Sequence, residues 1–189
     1  MKLKYLFLSV FIGGYFVTNA QSISHGNKII TLGIGLGPSY YSGVEYIGIV
    51  PPLSASFEYI IQDNLINGKG AIGVGGYVGF ATYKWEENIP GYGLWGYNSG
   101  NIFIGPTGTF HYSFVDKLDT YGGLFIGYNI VDNNEFGVAH HGHDYHMKGS
   151  GYVWALYTGG RYFFSNNFAV MLELGYGITY LNTGIALKF

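Results

Sequence analysis

Along most of the chain, apolar residues recur at every second position and small or polar residues fill the positions between them. A period of two predicts β-strands with one apolar face. The pattern is clearest at residues 168–176, where bulky apolar residues alternate with Ala169, Met171, Glu173 and Gly175. The alternation predicts eight strands, at residues 30–37, 53–61, 71–83, 101–114, 120–131, 150–164, 168–176 and 181–189.

The faces opposite the apolar residues carry glycine, threonine and serine where a soluble protein would carry charges. Only 11% of the residues are charged, against about 25% in ordinary soluble domains, while 19% are aromatic and 32 are glycine. Pro106 lies inside the fourth strand, and its missing N–H predicts an edge or a bulge there. Small residues on one face suit the cramped interior of a closed barrel.

The first 20 residues predict a secretory signal peptide. Lys2 and Lys4 precede an apolar run at residues 5–17, and the segment Thr18-Asn-Ala20 supplies a cleavage site. The apolar run is shorter than the ~20 residues that a membrane-spanning helix needs. We therefore expect residues 1–20 to be removed and residues 21–189 to form one domain.

The exported domain is expected to be an all-β, eight-stranded antiparallel up-and-down transmembrane β-barrel. No later stretch offers the ~18 uninterrupted apolar residues of a spanning helix, and strands in lipid must close because lipid cannot satisfy an open sheet edge. The longest predicted connections, at residues 38–52, 84–100 and 132–149, follow the first, third and fifth strands. Because the long connections follow alternate strands, they lie at the same end of the barrel. This arrangement predicts extracellular loops at one end and short periplasmic turns at the other.

Three stretches resemble the outer-membrane-protein β-barrel (OmpA-like) superfamily: residues 118–129, the segment Glu173-Leu-Gly-Tyr-Gly, and a final strand ending on an aromatic residue. The resemblance implies a Gram-negative outer membrane, contact with its lipid and lipopolysaccharide, and delivery by the barrel-assembly machinery. It implies that Phe189 is part of an assembly signal. Under this resemblance we expect no cofactor. We also expect the loops to be able to bind an extracellular ligand.

Five polar side chains are predicted to point into the barrel: Glu58, His111, Arg161, Glu173 and Lys188. In a narrow barrel such residues pair into a network that fills the lumen. Arg161 and Glu173 are expected to form a salt bridge, with Glu58 as a further partner. The alternative is a gated, ion-conducting path.

A histidine-rich stretch falls in the last long loop. His140, His141, His143 and His146 lie within seven residues, together with Asp144. Neutral imidazoles bind zinc or copper, so the stretch is a candidate metal site, although its spacing matches no strict metal motif. The alternative is a solvated polar loop.

His111 and Ser113 permit an enzyme hypothesis, because a His and a Ser two residues apart resemble the pair used by outer-membrane lipid A deacylases. That pair needs an orienting acid, and the predicted register points both residues inward, away from a lipid substrate. We therefore expect no enzymatic activity.

Aromatic residues near the strand ends are expected to form interfacial girdles, while Trp95 is a candidate partner-binding residue. The girdle candidates include Tyr83, Trp85, Tyr152, Trp154, Tyr162, Phe164 and Phe168.

A structural or surface-interaction role is the function that these features favour. A small porin-like channel is the alternative, and a lipid A-modifying enzyme is a weaker one. The formal net charge is −2 and no basic stripe is present, which excludes nucleic acid as a natural partner.

Overall fold

The alternating pattern forms a closed β-barrel. A computed structural model describes residues 23–40, 47–91, 93–137 and 149–189. These described residues form β1 (Lys28–Pro38), β2 (Ile47–Asn64), a four-residue helical turn α1 (Leu65–Gly68), β3 (Gly70–Ile89), β4 (Gly93–Val115), β5 (Leu118–Gly137), β6 (Gly151–Phe163), β7 (Phe168–Tyr176) and β8 (Thr179–Lys188). No helix in this part of the chain is long and apolar enough to cross a membrane.

Each strand pairs antiparallel with its neighbours in sequence, and β1 pairs with β8 to close the ring. The closing ladder runs from Ile29 opposite Lys188 to Pro38 opposite Thr179. Beyond it, the N–H of Lys28 donates to the carbonyl of Phe189, and the N–H of Phe189 donates to the carbonyl of Lys28. The predicted eight-stranded up-and-down topology is confirmed.

The outer surface is an apolar belt. Most of its side chains are between 40% and 60% exposed, as they are at Ile34, Leu124 and Leu174. Contiguous apolar exposure on this scale is unfavourable in water, whereas lipid-facing residues of a transmembrane barrel are expected to be apolar. The belt therefore identifies the solvent of the outer surface as lipid, and the barrel as a transmembrane one.

The two ends of the barrel differ. The terminal end holds residue 23, Phe189 and the short connections at 65–69, 116–117 and 164–167. Asn64, Asn67 and Lys117 have positive φ in these tight turns, a conformation that asparagine tolerates better than most residues. The loop end holds the connections after β1, β3, β5 and β7.

Four strands, β2 to β5, extend well beyond their predicted ends toward the loop end. β2 begins at Ile47, six residues before the predicted start. The predicted loop at 84–100 is in fact a paired hairpin, because β3 and β4 stay in register to Ile89 opposite Gly93. β5 continues to Gly137, which pairs with Trp95. These polar and aromatic residues lie beyond the apolar belt. The alternation of apolar outward residues with small inward residues stops there, so the sequence does not reveal that the strands remain paired.

The two proline predictions were wrong. Pro106 sits opposite Gly76, and the described pairs with β3 and β5 keep one register on either side of it. Pro51 and Pro52, expected to end a loop, lie inside β2, where the pairing with β3 shifts between Val50 and Leu53. A register shift therefore occurs at the second site. At the first site the β4–β5 pairing passes over Gly105 and Pro106 without a shift.

Two apolar layers fill the lumen. The terminal layer consists of Ile23, Ile29, Ile60, Ala71, Phe163, Ala169 and Ala186. The upper layer consists of Ala81, Tyr83, Phe103, Phe125, Val153, Ala155 and Ile178. Polar side chains occupy the space between the layers. Along the inner face of β6, Phe163 of the terminal layer is followed by Arg161 and Tyr157, and then by Val153 of the upper layer.

Replacing Phe189 with Asp should reduce the amount of assembled protein. Phe189 is 58% exposed on the outer face, and it closes the β1–β8 seam through its main chain. The measurement is heat-modifiable migration and surface level in cells. Phe168→Asp is a matched control, because Phe168 is also exposed at the terminal end and pairs with Leu187 of the same strand. Equal losses in the two variants would mean that Phe189 acts only as a lipid-facing residue and not as an assembly signal.

Candidate functional site in the barrel lumen

Four charged side chains meet in the lumen next to the terminal layer. Glu58 comes from β2, His111 from β4, Asp119 from β5 and Arg161 from β6, and each is at most 4% exposed. Strand alternation turns each of them inward, since their sequence neighbours face lipid. We call these four residues the ion cluster.

Arg161 and His111 bridge the two carboxylates. The Arg161 Nη1 atom lies 2.7 Å from Glu58 Oε2 and 3.5 Å from Asp119 Oδ2. His111 Nε2 lies 3.0 Å from Glu58 Oε1, and its Nδ1 lies 2.9 Å from Asp119 Oδ1. The hydroxyl of Thr109 donates to Glu58. The cluster is thus a ring of alternating cations and anions.

The geometry assigns the charge of His111. Ionised carboxylates only accept hydrogen bonds, and both ring nitrogens of His111 face carboxylate oxygens. Both nitrogens therefore donate, and the imidazole is a cation. Two positive and two negative charges then cancel, which is the condition under which buried charges are tolerated. The guanidinium of Arg161 also lies 4.3 Å from the centroid of the Tyr121 ring.

Glu173 is not the partner of Arg161. Its Oε1 accepts a hydrogen bond of 2.7 Å from the Tyr121 hydroxyl, and its Oε2 accepts one of 2.9 Å from Asn182 Nδ2. The β6–β7 register places Arg161 opposite Met171, and the long Arg161 side chain reaches across the lumen to β2 instead. The salt bridge expected between neighbouring strands was wrong for this reason.

Of the five inward polar residues named from the sequence, the structure brings three together: Glu58, His111 and Arg161. Lys188 is 4% exposed, and its Nζ lies 4.8 Å from the centroid of the Phe163 ring, in the terminal layer. Asp119 was missed because residues 115–119 were assigned to a turn. Asp119 pairs with Arg161 and so belongs to β5. Had the fifth strand been predicted to start before residue 119, alternation would have placed the Asp119 side chain in the lumen.

The enzyme hypothesis finds no support in the contacts of His111. Its ring hydrogen bonds go to Glu58, Asp119 and Thr109. Ser113 is not among its partners, and the Ser113 N–H donates to the carbonyl of Lys69. The His–Ser pair therefore lacks the contact between base and nucleophile that catalysis by serine requires.

Several aromatic residues lie inside the barrel and not at its surface. Tyr83 and Trp85, expected in a girdle, are 0% and 5% exposed. Trp95, a candidate partner-binding residue, is 3% exposed, and its Nε1 donates to Glu135 at 2.6 Å. Tyr152, Trp154, Tyr162, Phe164 and Phe168 are exposed, as a girdle requires. Trp85 and Trp95 lie where β3 and β4 continue beyond the predicted strand ends, and alternation turns both inward. Tyr83 closes the predicted third strand, where alternation from Ala81 already points its side chain inward.

The histidine-rich stretch at residues 140–146 lies outside the described residues. Metal binding by His140, His141, His143 and His146 therefore stays a prediction. The signal peptide at residues 1–20 also lies outside them, and its cleavage stays a prediction as well.

Solved structures with the same architecture are all-β membrane proteins. The outer membrane protein OprG from Pseudomonas aeruginosa is 11% identical, with a TM-score of 0.54, over 90% of this chain and 99% of that chain. Ail, the attachment invasion locus protein of Yersinia pestis, in complex with the heparin analogue sucrose octasulfate, is 14% identical, with a TM-score of 0.52, over 87% and 99%. The chain has the fold of a small outer-membrane β-barrel. No protein-family profile matches the chain, and no curated protein sequence is significantly similar to it.

The narrower OmpA-like assignment stays a prediction. The similarity to OprG and Ail is below 16% identity and extends to the fold of the small outer-membrane barrel. What the barrel does must therefore be argued from its own lumen and surface.

Breaking the pair between Glu58 and Arg161 should destabilise the barrel strongly. We expect Arg161→Met and Glu58→Gln each to lower the unfolding free energy by about 3–5 kcal/mol, because each leaves a buried charge uncompensated. The double variant should cost less than the sum. The measurement is urea unfolding in lipid vesicles, followed by tryptophan fluorescence. The half-exposed pair of Lys84 and Glu86 is the control, where changes below about 1 kcal/mol are expected. Additive losses at Glu58 and Arg161 would contradict the coupling.

A methyl group at Gly73 should disturb the ion cluster. A Cβ there would lie 2.5 Å from Thr109 Oγ1 and 2.6 Å from Glu58 Oε1. We expect Gly73→Ala to lower the unfolding free energy by about 1–3 kcal/mol, as overpacking does. Gly108→Ala is the matched control on the neighbouring strand, where a Cβ would meet nothing within 4 Å. Equal stability of the two variants would show that the lumen yields to the added methyl.

Proposed function

We propose that this protein is a non-enzymatic integral outer-membrane protein with a structural or surface-interaction role. The observation that carries the proposal is a lumen blocked by two apolar layers and the ion cluster beneath a lipid-facing belt. Transport needs a continuous path and catalysis needs an accessible reactive group. A blocked lumen supports neither, and it leaves the outer surface and the loop end for interaction.

The channel alternative is weakened by three successive obstructions. The terminal layer, the ion cluster and the upper layer follow one another along the lumen, and Phe103, Phe125 and Tyr83 in the upper layer are at most 1% exposed. Opening a path would require moving packed aromatic rings and separating buried ion pairs. Both changes cost several kcal/mol.

The loop end is built to stand above the membrane. β3, β4 and β5 continue as a paired sheet beyond the other strands. This extension is braced by ring contacts, with 5.6 Å between the centroids of Trp85 and Trp95. The Lys84 Nζ lies 5.0 Å from the centroid of Phe136. A rigid extension suits a protein that presents a surface outside the cell.

The charge of the extension favours a neutral or cationic partner. Its described residues include the acids Glu86, Glu87, Asp132 and Glu135 against Lys84. The Ail complex contains a heparin analogue, a polyanion, which this acidic surface would repel. The partners we propose are outer-membrane lipid and lipopolysaccharide around the belt, the barrel-assembly machinery during insertion, and an extracellular ligand at the extension.

Site-specific labelling tests the orientation. The chain contains no cysteine, so one introduced thiol gives a unique signal. We expect Glu87→Cys, on the extension, to react with a membrane-impermeant maleimide on intact cells. Asp116→Cys, in a terminal-end turn, is the matched control and should react only after the outer membrane is permeabilised. Labelling of residue 116 alone on intact cells would invert the proposed topology.

Conductance separates the structural role from the channel. The purified protein in planar bilayers should give no steady single-channel currents, because two packed apolar layers and the ion cluster block the lumen. Refolded protein that shows heat-modifiable migration is the required sample. Reproducible unitary currents that change in Arg161→Met would establish the channel instead.

A further inference from the structure

Lysine side chains collect at the terminal end of the barrel. Among the described residues four lysines lie outside the lumen, and three of them, Lys28, Lys69 and Lys117, are at this end. Lys28 begins β1, Lys69 follows α1, and Lys117 lies in the turn between β4 and β5. Lys28 and Lys69 are exposed, and Lys117 is half-buried. We call these three residues the terminal lysines.

The terminal lysines have no ion-pair partner in the part of the chain that the structure describes. The acids at the same end are Asp63, Asp116 and the terminal carboxylate of Phe189, and each lies more than 4.0 Å from the three ammonium groups. Lys84, the fourth outer lysine, pairs with Glu86 at the loop end. The terminal lysines are therefore available to an anion from outside the protein.

An outward aromatic pair accompanies Lys28. Strand alternation turns Lys28 outward, as it does Ile30. Its cross-strand neighbour on β2 is Tyr59, and on the other side its main chain exchanges two hydrogen bonds with Phe189. Lys28 thus lies between two aromatic residues on the outer face.

The same arrangement recurs at the other two terminal lysines. The Lys69 carbonyl accepts from the N–H of Ser113, whose sequence neighbours Tyr112 and Phe114 have ring centroids 4.7 Å apart. The Lys117 carbonyl accepts from the N–H of Phe163, and the rings on either side of that residue are 5.3 Å apart. Aromatic rings of this kind mark the membrane–water interface.

The turns at this end are themselves apolar and exposed. Ile66, Phe114, Val115 and Phe164 are between 58% and 68% exposed. Ile66 has a φ of 47°, which a β-branched residue seldom adopts, and the turn holds its side chain outward nonetheless. Apolar exposure extends from the belt to the turns, so we infer that the membrane interface reaches them. The lysine stems can then lie along this apolar surface while their ammonium groups stay at headgroup level.

We propose that the terminal lysines bind the phosphate groups of anionic phospholipids in the leaflet at the terminal end. An ammonium group attracts phosphate, and the adjoining aromatic and apolar side chains favour an amphiphile over a soluble anion. The acids of the loop end, such as Glu87 and Glu135, would repel the same headgroups. This proposal deepens the lipid partnership, and naming the leaflet as periplasmic rests on the proposed orientation of the barrel.

Electrostatic attraction makes the binding selective among lipids and sensitive to salt. One lysine near an anionic membrane surface raises association about fivefold. The Debye length falls from about 30 Å at about 0.01 M salt to about 3 Å at about 1 M. A preference for anionic over zwitterionic lipid should therefore be largest at low salt and largely disappear at high salt.

Electron spin resonance of spin-labelled lipids tests the proposal. The refolded protein is placed in phosphatidylcholine bilayers containing spin-labelled phosphatidylglycerol or spin-labelled phosphatidylcholine. We expect phosphatidylglycerol to associate about two- to fivefold more strongly at low salt. Changing Lys28, Lys69 and Lys117 together to Gln should bring this ratio close to one. Both leaflets have the same composition, so the result does not depend on orientation, which the maleimide labelling tests separately.

Lys84→Gln is the matched control, because it removes a lysine of the loop end that already pairs with Glu86. Its lipid preference should equal that of the unaltered protein, and heat-modifiable migration verifies that each variant is folded. If the triple variant does not fold, the three single variants replace it, and each should lose part of the preference.

The absence of a preference in the unaltered protein, or an equal preference after removal of the terminal lysines, would overturn the proposal. A cell-wall polymer is the competing anion, and co-sedimentation with isolated peptidoglycan tests for it. Lysine-dependent sedimentation without a lipid preference would assign the terminal lysines to the cell wall instead.

Discussion

Closure of β1 on β8 is the constraint on which the rest of this structure depends. In lipid an unpaired strand edge exposes main-chain groups that nothing solvates, so the ladder from Ile29 to Pro38 against β8 is indispensable. Closing so few strands leaves a narrow lumen. A narrow lumen accommodates mainly small inward residues and is blocked by two apolar layers. Any inward charge must also find an opposite charge within the barrel. The outer surface follows from the same closure, because within the membrane every side chain not in the lumen faces lipid or the interface.

The parts predicted from the sequence are those governed by strand alternation within the membrane. The period of two located the strands and the outward residues such as Ile34 and Leu174. It did so because lipid favours apolar side chains, whereas the narrow lumen favours small or polar ones. Outside the membrane that demand disappears. Trp85 and Trp95 were therefore assigned to a loop, although alternation continues through them and buries both rings.

The candidate site shows a second limit. Glu58, His111 and Arg161 were identified because charges are rare in this chain and alternation turns these three inward. Their partners depend on which side chains reach across the lumen, which no local pattern contains. Arg161 thus bonds to Glu58 on the opposite side of the barrel and not to Glu173 on the next strand. Asp119 was lost because the predicted strand began at residue 120, two residues after the observed start of β5 at Leu118.

The contact between Arg161 and Glu58 joins residues 103 positions apart. Neither half of the barrel holds this contact by itself, so it forms only when the two halves of the chain have met. Contacts of such long sequence separation slow folding, because the entropy of closing the chain is lost before they contribute. Until then a partly inserted chain carries unmatched charges in a medium of low dielectric, which disfavours every half-formed barrel. The ion cluster thus makes folding more nearly all-or-none: the barrel is completed as a whole, and once complete it has no inexpensive first step toward coming apart.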